Sequence, residues 1–247
     1  MATMRLHWFF FVLLLLCAIG VTVLYALAPQ AGPAFMSPRT AKILFFHVPV
    51  AMQSSLFFLW SAVAGVAYLV RRQPAWDHHS RSALEVGFLF ALLATLTGMV
   101  FADQQWGVAW NWDARQQYIF ILLLIYAAYF ALRLGFTTYE QTAAYAAAYA
   151  VFGFLTVPFL VWVLPRMQPS QHEQANRTII EWQLDTEYGR VFLAASFTIL
   201  LLGIWCCAAR VKELRASHDK EEDDGCKSGS GDSADSGVVR PVRLRNP

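Results

Sequence analysis

The chain has 247 residues, of which 57% are apolar, 15% charged and 15% aromatic. Soluble domains carry about 25% charged residues, and much of the charge here is crowded after Glu213, so a soluble enzyme is excluded. The formal charge of +2 excludes the basic excess of a nucleic-acid binder, and Cys17, Cys206, Cys207 and Cys226 form none of the paired spacings of a disulfide framework or zinc site.

A helical crossing of a bilayer takes about 20 apolar residues. Six stretches qualify, at about 7–28, 43–70, 84–101, 117–134, 141–164 and 190–209. The expected fold class is all-α, a polytopic membrane protein with six transmembrane helices. The first stretch follows Arg5 and ends in Ala26-Leu27-Ala28, as a cleavable signal does. Its apolar run from Trp8 to Ala28 spans 21 residues, whereas a signal core has about 7–15, so it reads as a retained helix.

Orientation follows the basic residues near the helix ends. With the N-terminus inside, the inner segments hold Arg5, Arg71, Arg72, Arg81, Arg133, Arg210, Lys212 and Arg215. The outer segments then hold Arg39, Lys42, Arg115, Arg166, Arg177 and Arg190. This bias favours an N-in, C-in arrangement. Residues 1–209 form the expected six-helix domain. From about 210 the chain passes through the run Asp219 to Asp224 into Gly-Ser-Asp repeats. Lacking an apolar period, 210–247 reads as a disordered polar tail.

Chemistry-bearing residues gather in the outer segments. The second stretch carries His47 in Phe45-Phe46-His47-Val48-Pro49, five residues in from Lys42 and so about 7.5 Å along a helix. Pro49 removes a backbone donor and opens the helix there. An ionisable group inside a span is a functional candidate; a buried, hydrogen-bonded histidine is the structural alternative. Between the third and fourth stretches lies Trp106-Gly107-Val108-Ala109-Trp110-Asn111-Trp112-Asp113-Ala114-Arg115. Its tryptophans suit either an interfacial belt or a flat surface for a planar apolar ligand. Asp113 stands where a helix N-cap belongs, with Gln116 at capping-box spacing. Arg115 either forks onto a ligand carboxylate or sits solvated at the headgroups. His172 lies in the long segment before the sixth stretch, on the same membrane face as His47. Two imidazoles flanking an aromatic surface suit axial ligation of haem iron. The other histidines, His7, His78, His79 and His218, read as solvated.

These residues carry a family resemblance. Trp106-Gly107-x-x-Trp110-x-Trp112-Asp113 resembles the tryptophan-rich "WWD" signature of the haem-handling proteins of cytochrome c biogenesis. His47-Val48-Pro49 resembles the first histidine motif of that family, and His172 falls where the second histidine belongs. Six spans in a chain of this length resemble the CcmC members rather than the longer CcsA and CcmF members. The resemblance covers about 40–210. Ala109 departs from it, standing where CcmC proteins often carry another tryptophan.

The resemblance implies a protein of the bacterial inner membrane that holds haem b at the outer, periplasmic face. His47 and His172 would be its axial ligands, and Trp106, Gly107, Trp110 and Trp112 its platform, with Asp113 and Arg115 shaping the site. Its implied partners are the haem chaperone CcmE, the small protein CcmD, the ATP-driven CcmA–CcmB complex and the lipid bilayer, with no nucleic acid. The chain shows no nucleophile–base pair or ATPase motif, so it reads as a carrier rather than an enzyme. Two other readings compete: a CcsA-type synthase component, and a six-helix small-molecule transporter lined by Ala143, Ala144, Ala146, Ala147 and Ala148 of the fifth stretch.

Overall fold

The computed structural model describes residues 40–171 and 186–232, together with Ile19 and Ala26. Among these residues every regular element is helical. A 3-10 segment, Thr40–Phe45, leads into α1 (His47–Arg71), followed by α2 (Pro74–Trp106), α3 (Ala114–Arg133), α4 (Tyr139–Val157) and α5 (Thr186–Asp232). Pro158, which lacks an N–H for the helical ladder, opens a π segment over Pro158–Val163 and then a 3-10 turn over Leu164–Arg166.

Five helices among the described residues are long and apolar enough to cross a membrane: Lys42–Arg71, Pro74–Trp106, Ala114–Arg133, Tyr139–Arg166 and Tyr188–Glu221. They correspond to the second through sixth predicted stretches. The first predicted stretch, 7–28, lies outside the described residues except for Ile19 and Ala26.

Two boundaries differ from expectation for the same reason. α2 starts at Pro74, ten residues before the expected apolar run at 84. Its first turns bury Asp77, His78, Ser80 and Ser82 against other helices rather than in lipid. α5 likewise continues past 210 to Asp232. Val211 and Leu214 are buried, Arg210 pairs with Glu85 at 2.7 Å, and the His218 ring lies 4.6 Å from that of Tyr139. Polar residues can extend a helix wherever a neighbour supplies partners, and Lys, Glu, Arg and Ala favour helix intrinsically. A hydropathy window registers neither effect.

Small residues set the helix spacing. At Gly65 of α1 an added Cβ would stand 3.0 Å from the Ala147 carbonyl oxygen of α4, so backbones touch where Ala143, Ala146, Ala147 and Ala150 are buried. This is the close approach that small residues permit in membranes. It gives the alanines of α4 a packing role. Ser61 and Ser80 exchange hydroxyl-to-carbonyl bonds of 2.8 and 2.9 Å between α1 and α2. Phe58 stacks on Tyr126 of α3 at 3.7 Å. Large apolar side chains such as Leu56, Val63, Leu96, Leu124, Phe152 and Phe197 point outward, as suits helices solvated by acyl chains.

At the end of the bundle where α1 finishes, Asp77 is buried with 1% of its surface exposed. Arg133 forks onto it with two bonds of 2.9 Å, and the Tyr139 hydroxyl donates to the same carboxylate at 3.1 Å. Arg133 also donates to the Tyr129 hydroxyl at 3.1 Å. Removing one member strands a buried charge, so Asp77→Ala should destabilise the protein by about 3–5 kcal/mol. Replacing both partners, Asp77→Leu with Arg133→Leu, should recover most of that loss. Thermal unfolding of the three variants in detergent checks the ordering.

Candidate functional site

The other end of the bundle collects the start of α1, the end of α2, the 107–113 segment, the start of α3 and the residues after α4. His47 is the first residue of α1. Pro49 is the third and is fully buried. The first helical N–H groups have no partner within the helix, so a proline there costs no hydrogen bond. The expected opening within the span is therefore a junction: the 3-10 segment ends at Phe45, and the α-helix begins at His47.

The half-buried imidazole of His47 is held by α2. Its Nδ1 lies 3.1 Å from the Thr97 hydroxyl. Thr97 Oγ1 also lies 2.7 Å from the Leu93 carbonyl, an acceptor for its own proton, which favours His47 Nδ1 as the donor in this contact. A Cβ added at Gly98 would lie 2.9 Å from His47 Cε1, so the ring rests directly on the glycine. Trp106 ends the same helix nine residues beyond Thr97, about 13 Å along its axis. The aromatic rim thus stands above the level of His47.

Gly107 closes α2 in a left-handed conformation, φ 75°, and its N–H donates to the Asp103 carbonyl at 2.8 Å. Trp106 meets Phe101 edge-on at 5.6 Å. Beyond the turn, Trp110 and Trp112 lie 5.5 Å apart at 87°. Phe120 of α3 packs against both, at 6.3 and 6.2 Å. The rings form a perpendicular cluster rather than one flat surface, and edge-to-face is the arrangement aromatic quadrupoles favour. Trp112 (58%) and Phe120 (43%) remain exposed.

Trp112 also has a left-handed backbone, φ 58°, a conformation that costs a bulky residue about 1–2 kcal/mol. Hydrogen bonds on either side hold it. Gln117 donates to the Trp112 carbonyl, and the Asp113 N–H donates to Asn111 Oδ1 at 3.1 Å. Buried Gln116 accepts from the Asn111 N–H at 2.9 Å and donates to the Ala109 carbonyl at 3.1 Å. Gln116 therefore braces the loop instead of completing the expected capping box.

Asp113 is the N-cap of α3, accepting from the Arg115 N–H at 3.1 Å. Its carboxylate reaches further. Ser170 Oγ donates to Oδ1 at 3.0 Å, and the Gln171 N–H donates to Oδ2 at 2.9 Å. Asn111 donates to the Gln171 side chain as well, and Gln168 donates to the Tyr118 hydroxyl at 2.7 Å. The tryptophan segment and the chain leaving α4 are thus one hydrogen-bonded unit. The half-buried side chain of Arg115 has Arg166 and Asp113 as charged neighbours, and the Arg166 guanidinium lies 5.4 Å from the Trp162 ring. His172, one residue past Gln171, lies outside the described residues.

The structure thus joins Trp110, Trp112, Asp113 and Arg115 in one cluster. His47 sits lower, against α2, and Trp106 packs on Phe101. Sequence reasoning missed Thr97, Gly98, Phe120 and Arg166. Phe120 was accessible, since positions 113, 117 and 120 share a helix face. Thr97 was not, because its importance depends on which helix faces His47. Asp113→Ala should cost about 1 kcal/mol through the lost cap and speed amide exchange at Gln171. Hydrogen exchange read by mass spectrometry over 165–172 checks this, with Asp103→Ala as an unaffected control.

Comparison with known proteins adds an independent line. The family model described as CcmC, heme exporter protein C, matches residues 1–223. The heme exporter protein C of Bradyrhizobium diazoefficiens is 30% identical over 216 residues, which cover 85% of this chain and 79% of that protein. The Escherichia coli K12 protein of the same name is 24% identical over 204 residues, 78% of this chain and 82% of that one. A cytochrome c biosynthesis ccmC-like mitochondrial protein of Marchantia polymorpha is 30% identical over 149 residues, 59% of this chain and 63% of that one. The chain belongs to the CcmC family, heme exporter protein C.

Proposed function

We propose that this protein binds haem b at the periplasmic face of the bacterial inner membrane and delivers it to the chaperone CcmE during cytochrome c maturation. Six spans in an N-in, C-in arrangement set the outer rim of the bundle on that face. His47 and His172 ligate the iron axially. Trp106, Trp110 and Trp112, turned by Gly107 and backed by Phe120, supply the aromatic contacts. Arg115, with Arg166 beside it, offers cationic partners for the haem carboxylates. CcmD assists, and the CcmA–CcmB complex supplies the energy for release of the loaded chaperone.

The observation that carries this reading is the Asp113 carboxylate. It ties the tryptophan segment to Gln171, the residue before His172 in the sequence, which supports a second ligand supplied from the chain that follows. The His47 tautomer supports it further, because a proton on Nδ1 leaves the lone pair on Nε2, the arrangement an iron ligand needs. A site at a membrane rim with one ligand on a loop can exchange that ligand for one from a partner, as a handoff requires.

The test is the absorption spectrum of the purified protein, with a pyridine assay for haem type. A bis-imidazole spectrum of haem b is expected. It should be lost in the His47→Ala, His172→Ala double variant, and an unchanged spectrum there rejects the ligand assignment. Of the single variants, His172→Ala should retain more haem than His47→Ala, because loop ligands are more readily replaced. The reverse order would reject the proposed handoff sequence.

A further inference from the structure

We propose that Thr97 and Gly98 of α2 are positioning residues for His47: Thr97 fixes the imidazole tautomer so that Nε2 faces the iron, and Gly98 provides the surface on which the ring lies. The assignment rests on the reading of His47 as an iron ligand and deepens it. A threonine hydroxyl has one proton. At Thr97 that proton is committed to the Leu93 carbonyl at 2.7 Å, with the Ala94 carbonyl at 3.2 Å. The oxygen lone pairs are what remain for His47 Nδ1, 3.1 Å away. Nδ1 therefore keeps its hydrogen, and the lone pair is confined to Nε2.

The consequence for a bound iron is twofold. An imidazole whose second nitrogen donates a hydrogen bond is oriented, and it is a stronger electron donor toward the metal. Stronger donation favours the ferric state and lowers the reduction potential. Gly98 sets the height of the ring. A methyl carbon added at this position would stand only 2.9 Å from His47 Cε1, so the imidazole must move if any side chain is present. What would move is the end of a side chain rather than backbone, so Gly98→Ala should displace the ligand without unfolding α2.

Full-length protein, depleted of haem and titrated with ferric haem b in detergent, provides the test. Thr97→Val keeps the shape and removes the acceptor. It should weaken haem binding about 10–100-fold and move the midpoint potential of the bound haem to a more positive value. Thr97→Ser should restore both. Gly98→Ala should weaken binding and change the electron paramagnetic resonance g values of the ferric low-spin haem. Wild-type affinity and potential in Thr97→Val, in a protein where His47→Ala does disturb the haem spectrum, overturns this proposal alone. No change in His47→Ala overturns the ligand reading beneath it. If Thr97→Val is not recovered folded, Thr97→Ala carries the same expectations and the same refutation.

Discussion

In the hydrocarbon of a bilayer there is no water to satisfy a polar group, so a polar side chain within a span is stabilised by a partner in the protein. That constraint explains the connections among these helices. Ser61 and Ser80 trade hydroxyl bonds across α1 and α2. Asp77, Arg133 and Tyr139 close one end of the bundle around a single carboxylate. His47 Nδ1 meets the Thr97 hydroxyl at 3.1 Å. Since association in lipid lacks a hydrophobic driving force, these bonds, with the contacts of Gly65 and the α4 alanines, determine which helix faces which.

The two ends of the bundle use carboxylates in contrasting ways. Asp77 is fully buried, gripped by an arginine fork and set among aromatic rings, which suits a permanent fastening between helices. Asp113 sits at a partly exposed rim and gathers a serine hydroxyl and two backbone N–H groups from loop and helix start. Neutral donors of this kind bind a carboxylate less strongly than a guanidinium does, and at the rim water can compete for them. The bonds that tie the tryptophans to the chain after α4 are thus easier to exchange than those that close the opposite end.

The number and order of the spans from 43 onward were legible in the sequence because hydrophobic run length is dictated by membrane thickness. The helix ends were less so. α2 and α5 run on through Asp77, Ser80, Arg210 and His218, whose burial depends on partners distant in sequence. The tryptophan segment was legible as a unit from composition. Its perpendicular packing on Phe120 and the reach of Asp113 to Ser170 and Gln171 were not, since both arise from how α3 and α4 are juxtaposed. The absent donor of Pro49 was legible too, yet its effect depends on its position within the first helical turn.

The left-handed backbone of Trp112 has a further meaning. Its indole keeps its pose because flanking segments hold the peptide in an uphill state, and one of those segments is anchored through Asp113 to the chain after α4. The left-handed peptide and residues 170–171 therefore share a support in Asp113, which follows Trp112 directly and accepts from Ser170 and Gln171.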